Sequence, residues 1–154
     1  MVEGFSITDD VTRIDIARVH RYLSEESYWA KGIPFEVVDR AVRNSLSFAV
    51  LDATGELAGF ARVITDRATF AYLEDVFILE QHRGKGLSKR LMAAILAHPQ
   101  LQDLRRWMLA TQDAHGLYSQ HAGFRPIRFP ERWMERHDPE VYSRRAAAST
   151  KTES

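Results

Sequence analysis

The chain of 154 residues contains no cysteine, which removes thiol nucleophiles, disulfides and cysteine-ligated zinc in one step. It also lacks a charge imbalance: lysine plus arginine number 21, and so do aspartate plus glutamate. No overall field therefore draws it to nucleic acid or to an anionic membrane. No uninterrupted apolar run approaches membrane-spanning length, and the start, Met1-Val2-Glu3-Gly4, has no basic segment leading into an apolar stretch. The expectation is a cytoplasmic protein with neither a nucleic-acid nor a membrane partner. Six histidines are scattered along the chain, and His115 and His121 do not have the i, i+4 separation of a zinc helix, so no metal is expected. A G-x-S-x-G elbow is absent as well. The length is one domain's worth, able to bury most of its apolar surface. That domain is expected over residues 1–143, with 144–154, an alanine triplet followed by small polar residues, as a frayed helix end or flexible tail.

What the chain does have is a β-like run, Leu73 to Leu79, joined to a helix through Gln81-His82-Arg83-Gly84-Lys85-Gly86 and Leu87-Ser88. Two spaced glycines let backbone turn tightly and approach a ligand. The first amides of the following helix have no intrahelical acceptor and carry the positive end of its dipole. Arg83 and Lys85 add positive charge, so the segment suits a diphosphate. The spacing fits neither the P-loop nor the dinucleotide fingerprint, whose third glycine would fall on Lys89.

Helix and strand periodicity frame this cradle. Asp9 or Asp10 is expected to cap a helix carrying Ile16, Val19 and Leu23 on one face. Pro34 opens a second, with Phe35, Val38 and Val42 inward and Asn44 near its end. Leu46–Leu51, Leu57–Thr65 and Thr69–Leu79 read as a meander, with a turn at Asp52–Glu56. The cradle helix stops at Pro99, Arg105–Thr111 is a further strand, and a helix capped by Asp113 carries Tyr118. A β-rich segment is expected after it. This order predicts an α/β mixed sheet with helices on its faces.

The loop Gln81 to Gly86 resembles the Q/R-x-x-G-x-G/A loop of the GNAT superfamily of acyl-CoA N-acyltransferases, lying as there between strand and helix. The downstream run Thr111 to Phe124 resembles that family's helix with a tyrosine followed by Gly-Phe, here Tyr118 and Gly123-Phe124. The resemblance spans about Phe5 to Tyr142. It implies a mostly antiparallel central sheet with two splayed strands, acetyl-CoA as co-substrate, and a homodimer as one assembly open to it. It implies that the pantetheine arm pairs with backbone of Phe77 and Ile78. The diphosphate would lie on amides from Arg83 through Gly84, Lys85, Gly86 and Leu87 to Ser88, with Gln81 opening the motif. The family often has asparagine where this chain has Asp113; an aspartate accepts but does not donate, so its role is either a cofactor contact or helix capping alone.

The implied chemistry has two proton problems. A protonated amine of lysine-like pKa is free for attack at neutral pH in roughly one molecule per few thousand, and the departing thiolate needs a proton. Glu74 is the first candidate base, and Leu73-Glu74-Asp75 resembles the Leu-Glu-Asp run of spermidine/spermine acetyltransferases. Tyr118 occupies the place of the family's thiolate-protonating tyrosine; the competing reading is a half-buried core aromatic. Strand alternation puts Glu74 and Asp75 on opposite faces, one toward the cleft and the other toward an arginine such as Arg62 or Arg106. Tyr28 and Trp29, between the first two helices, and Trp133 lie where this fold walls its acceptor pocket, against the alternative of plain packing. A small or polyamine-like primary amine is the acceptor expected from Glu74 and Asp75 and the flanking aromatics. Peptide amines, an acyl-CoA sensor without turnover, and a nucleotide-phosphate binder remain open beside it.

Overall fold

The computed structural model describes residues 4–152. Five strands form one sheet in chain order, β1 (Ser6–Thr8), β2 (Leu46–Leu51), β3 (Leu57–Thr65), β4 (Phe70–Ile78) and β5 (Arg106–Leu109). The first four pair antiparallel, and β4 pairs β5 in parallel. This is the mixed, mostly antiparallel sheet expected, with α1 (Ile16–Glu25) and α2 (Phe35–Arg43) on one face and α3 (Leu87–Leu96) and α4 (His115–Ala122) on the other. Two apolar cores result. Val19, Leu23, Val38 and Val42 pack with Ala49, Leu51 and Phe60 on one side. Leu91, Met92 and Ile95 of α3 pack with Val50, Ala61 and Val63 on the other. Alternation along β2 and β3 thus feeds both cores, which is why β2 is buried from end to end.

Several local expectations change. β1 was not foreseen, since three residues carry no readable alternation. Asp10 caps a short 3-10 turn at Val11–Arg13, while α1 is capped by Asp15, whose carboxylate accepts from the Arg18 N–H at 3.0 Å. Phe35 is not inward: it is 46% exposed and lies edge-on to His20, because at the first position of α2 it precedes the Val38/Val42 stripe. Asp113 does not cap α4. Ala114 holds that place, and its N–H donates to Thr111 Oγ1 at 3.1 Å. After α4 no strand follows among the described residues. Pro126, Pro130 and Pro139 remove backbone donors there, and the chain passes through a 3-10 turn at Pro130–Arg132 to α5 (Val141–Thr152). Residues 144–152, expected as a frayed helix end or a flexible tail, are helical.

The site depends on how β4 leaves β5. The two pair from Phe70↔Arg106 to Leu73↔Leu109, and β4 then runs on to Ile78 with no partner on that edge. Opposite β3, Phe77 pairs Phe60 and Glu74 pairs Arg62, so Asp75 and Val76 together face Ala61. That is a β-bulge, with Asp75 at φ 55. The extra residue resets the alternation: Phe77 enters the α1/α2 core and Ile78 the α3 core.

Candidate active site

The loop after β4 forms the expected cradle. Gly84 (φ 79) and Gly86 (φ 75) are both left-handed, and Gly86 is the residue from which α3 starts. A Cβ built on either meets nothing within 4 Å, so both glycines are required by backbone conformation and the space above them is free for a ligand. No side chain caps α3, leaving its first amides for an anion. A cavity of about 180 Å³ lies here, lined by Ile78, His82, Arg83, Gly84, Gly86, Leu87, Ser88, Lys89 and Leu117. Leu117 brings in α4, so the cradle opens toward the helix that carries Tyr118. Phosphate oxygens fit this donor set.

Two cradle side chains are more constrained than their sequence suggests. Arg83 folds inward: its Nε donates to the Ile78 carbonyl at 3.0 Å and its Nη2 to the Tyr22 hydroxyl at 3.2 Å. Tyr22 in turn stacks on Phe77, centroids 3.9 Å apart. Arg83 therefore ties α1 to the end of β4 and is not a freely mobile charge. Lys85 lies with its Nζ 5.2 Å from the Phe5 ring centroid. Gln81 is exposed.

At the bulge the expected division of Glu74 and Asp75 between opposite faces fails, because alternation breaks where the extra residue is inserted. Both carboxylates reach Arg62, Asp75 at 2.9 Å and Glu74 at 3.8 Å. Asp75, its side chain only 8% exposed, also accepts the Trp29 indole N–H at 2.8 Å. Arg62 donates further to Ser45 Oγ at 3.1 Å. Asp75 is fully engaged within the protein. Glu74, 33% exposed, has only the long contact. Burial and the neighbouring Asp75 charge push its pKa above the ordinary carboxylate value, against the pull of Arg62.

Tyr118 is buried, and burial, with Tyr28 and Asp113 nearby, pushes its pKa up to about 12. It keeps its proton at any working pH. The Gly-Phe that follows has a structural cause: Gly123 (φ 74) ends α4, the Phe124 N–H returns to the Tyr118 carbonyl at 3.2 Å, and the Phe124 ring meets the Tyr118 ring edge-on. Asp113 is exposed. Tyr28 and Trp29 stand beside this cleft, Tyr28 accepting the Gln112 N–H at 3.0 Å. Trp133 lies apart from them, over the start of β5, with the Arg106 guanidinium 4.7 Å from its ring centroid.

Two aromatic residues near Glu74 were missed. The hydroxyls of Tyr72 and Tyr142 have pKa values raised first by burial and then by the Glu74 and Asp75 charges. Tyr72 was legible, standing two residues from Glu74 on the same strand face; Tyr142 arrives from α5 with no local signal. Among the described residues no group of three or more metal-ligating side chains gathers, and no helix is long and apolar enough to cross a membrane.

The family model described as the Acetyltransferase (GNAT) family matches residues 9–124. The chain belongs to this family. The GNAT match takes in the bulge, the cradle and Tyr118 with its Gly-Phe. A crystal structure of a protein from Xanthomonas campestris pv. campestris, described as an acetyltransferase of the family, is 50% identical, with a TM-score of 0.89 over 93% of this chain and 99% of that one. A protein of Gibberella zeae named as an acetyltransferase is 31% identical, over 80% of this chain and 81% of its own length. A GNAT acetyltransferase from Elizabethkingia anophelis, solved with acetyl-CoA bound, shares the fold at a TM-score of 0.59 and 14% identity, covering 87% of this chain and 88% of that one. The present chain is thus a GNAT acetyltransferase, and acetyl-CoA is the donor this family uses.

Proposed function

We propose that this GNAT acetyltransferase transfers the acetyl group directly to a small primary amine in a ternary complex, without a covalent enzyme intermediate. The observation that carries the reading is a cradle of left-handed glycines following the unpaired edge of residues 74–78, with a raised-pKa carboxylate on that strand and a protonated tyrosine on the neighbouring helix.

In this reading the amides from Gly84 to Ser88 hold the diphosphate, the Arg83 N–H being taken by the Glu80 carbonyl at 3.2 Å, and backbone of Phe77 and Ile78 lies along the pantetheine arm. The Ile78 carbonyl is already accepting from Arg83, which leaves more of that pairing to Phe77. Bound acetyl-CoA supplies the thioester carbon. Glu74, or a water it orders, removes the ammonium proton, freeing the lone pair that forms the C–N bond. As the C–S bond breaks, Tyr118 gives its proton to the sulfur, and the second proton on the attacking nitrogen leaves to solvent, from which Tyr118 is reprotonated. Asp113, exposed beside Tyr118, is assigned to the pantetheine and not to capping.

The acceptor is assigned to the small-amine class because Glu74 is the carboxylate left without a close partner, while Tyr72 and Tyr142 lie near enough to feel its charge. A polyamine-like acceptor fits this charge less fully than two free carboxylates would, since Asp75 is engaged by Arg62 and Trp29. Trp133, held by Arg106 at the start of β5, is left out of this pocket. Release of coenzyme A thiol, followed with 5,5′-dithiobis-nitrobenzoate across monoamines, polyamines and peptide amines, tests the reading. Thiol release with small amines, and an acetylated product by mass, is expected. Acetyl-CoA binding without turnover on any amine identifies a sensor instead, and a preference for peptide amines removes the small-acceptor assignment.

A further inference from the structure

The two arms of the cleft have no ladder between them beyond Leu73↔Leu109, so another contact must set their separation there. Two adjacent residues in the α1–α2 connection reach both arms. Trp29 donates its indole Nε1–H to Asp75 Oδ1 at 2.8 Å, in the bulge of β4. Tyr28 accepts the backbone N–H of Gln112 at 3.0 Å, in the segment from β5 to α4. Their rings meet edge to face with centroids 4.9 Å apart. The connection that carries them is itself fixed. Buried Ser27 donates to the Leu23 carbonyl at 2.6 Å and accepts from the Ala30 N–H at 3.1 Å, and the Gly32 N–H returns to the Ser24 carbonyl at 3.0 Å.

We infer that Tyr28 and Trp29 act as one strap across the mouth of the cleft, holding the β4 arm with Glu74 at a set distance from the arm leading to Tyr118. Side chains that only walled an acceptor pocket would leave their polar tips for the acceptor. Here both tips are engaged, one by each arm, and the ring contact transmits the constraint between them. Tyr28 and Trp29 are therefore positioning residues: they touch the segments that carry the proposed base and acid. The kinetic half of this inference rests on the proposed amine transfer; the structural half does not.

Tyr28→Phe keeps its ring and Trp29→Phe keeps a smaller aromatic one, each cutting one end of the strap, and acetyl-CoA binding by calorimetry verifies that each variant is folded. Amide hydrogen exchange at Gln112 should rise in Tyr28→Phe, which loses the acceptor, and also in Trp29→Phe, although Trp29 does not touch that amide. Each single variant should lower kcat by roughly tenfold to a hundredfold, the cost of a misplaced reacting group, with little change in acceptor KM. The double variant should fall no further than the worse single one, because cutting either end releases the same constraint. Wild-type exchange at Gln112 in Trp29→Phe overturns the strap, as do defects that multiply in the double variant or lie in acceptor KM alone. If the wild type binds acetyl-CoA and acetylates no amine, the transfer reading fails, and the exchange measurement still decides the strap.

Discussion

Tyr118 and Glu74 have pKa values raised for the same first reason, burial, with opposite consequences for chemistry. A tyrosine held near 12 is a proton donor at every ordinary pH, so it should produce no alkaline decline in rate. Tyr118→Phe retains the ring against Phe124 and should lower kcat by roughly tenfold to ten-thousandfold, water rescue included, with acetyl-CoA affinity little changed; stopped-flow turnover against calorimetric Kd separates the two. A raised carboxylate, by contrast, places the acid limb of kcat/KM closer to neutrality: the rate should climb as Glu74 loses its proton. Glu74→Gln should depress the neutral-pH rate and narrow the gap at high pH, where the amine arrives already neutral. Its effect on stability has the other sign. A carboxyl whose folded pKa exceeds its unfolded one stabilises the fold below the unfolded pKa, and that contribution is lost as pH rises through the folded pKa. Glu74→Gln should therefore melt slightly higher than wild type at neutral pH, with the difference vanishing in acid, as calorimetric scans at two pH values can show. The placement of Glu74 on the strand before the two glycines and of Tyr118 on the helix before the Gly-Phe was legible in the sequence. The surroundings of Asp75 were not, because alternation along one strand does not reveal a bulge. A bulge exists only in the register between β3 and β4, and it brings Asp75 and Glu74 to the same arginine.

Left-handed glycines mark where two helices connect to function, one at the start of α3 and one at the end of α4. At Gly86 an added Cβ would meet no protein atom, so Gly86→Val strains the backbone and crowds the ligand space without a clash of that Cβ inside the protein. A branched residue at φ 75 costs of order 1–2 kcal/mol and moves the loop off its cradle shape, which corresponds to roughly five- to thirtyfold weaker acetyl-CoA binding. Calorimetry on a variant with unchanged circular dichroism should find that loss; undiminished affinity would falsify the cradle. Gly123→Ala carries a similar strain without reaching the diphosphate. It should cost about 1 kcal/mol, or roughly 2–4 °C of Tm for a chain of this size. Elements with a complete period were readable: the Val38/Val42 stripe of α2, the β2–β4 meander and the cradle helix ending before Pro99 all lie where the pattern put them. The unreadable ones lack a period. β1 is three residues long, and its place in the sheet comes from pairing with β2, distant in sequence. The segment after Phe124 is rich in arginine, aromatics and proline. Its position comes from contacts such as Arg106 on Trp133 and not from its own alternation.

Ligand recognition by this GNAT acetyltransferase should follow from the path of the cleft, because a neutral chain supplies no long-range attraction for a polyanion. The cradle alone offers amides to any diphosphate. Only the stretch from Gly86 past Ile78 and Leu117 toward Tyr118 distinguishes a ligand that continues from diphosphate into a pantetheine arm. The nucleotide-phosphate reading and the acyl-CoA reading therefore separate in one thermal-shift series. A ligand that binds only the folded state at one hundred times its Kd adds about 2.7 kcal/mol, which for a domain of this size is a Tm increase of roughly 5–11 °C. Coenzyme A and acetyl-CoA should both produce a shift of that order. ATP and NAD at the same concentration carry the phosphates without the arm and should produce much less. In Gly86→Val all four shifts should shrink together, since the cradle is common to them, whereas Tyr118→Phe should leave the coenzyme A shift in place, since the proposed role of the hydroxyl is in the reaction and not in holding the cofactor. Equal shifts with ATP and coenzyme A would mean that the arm makes no use of the splayed strands, and the cleft would then have to be reassigned to phosphate binding alone.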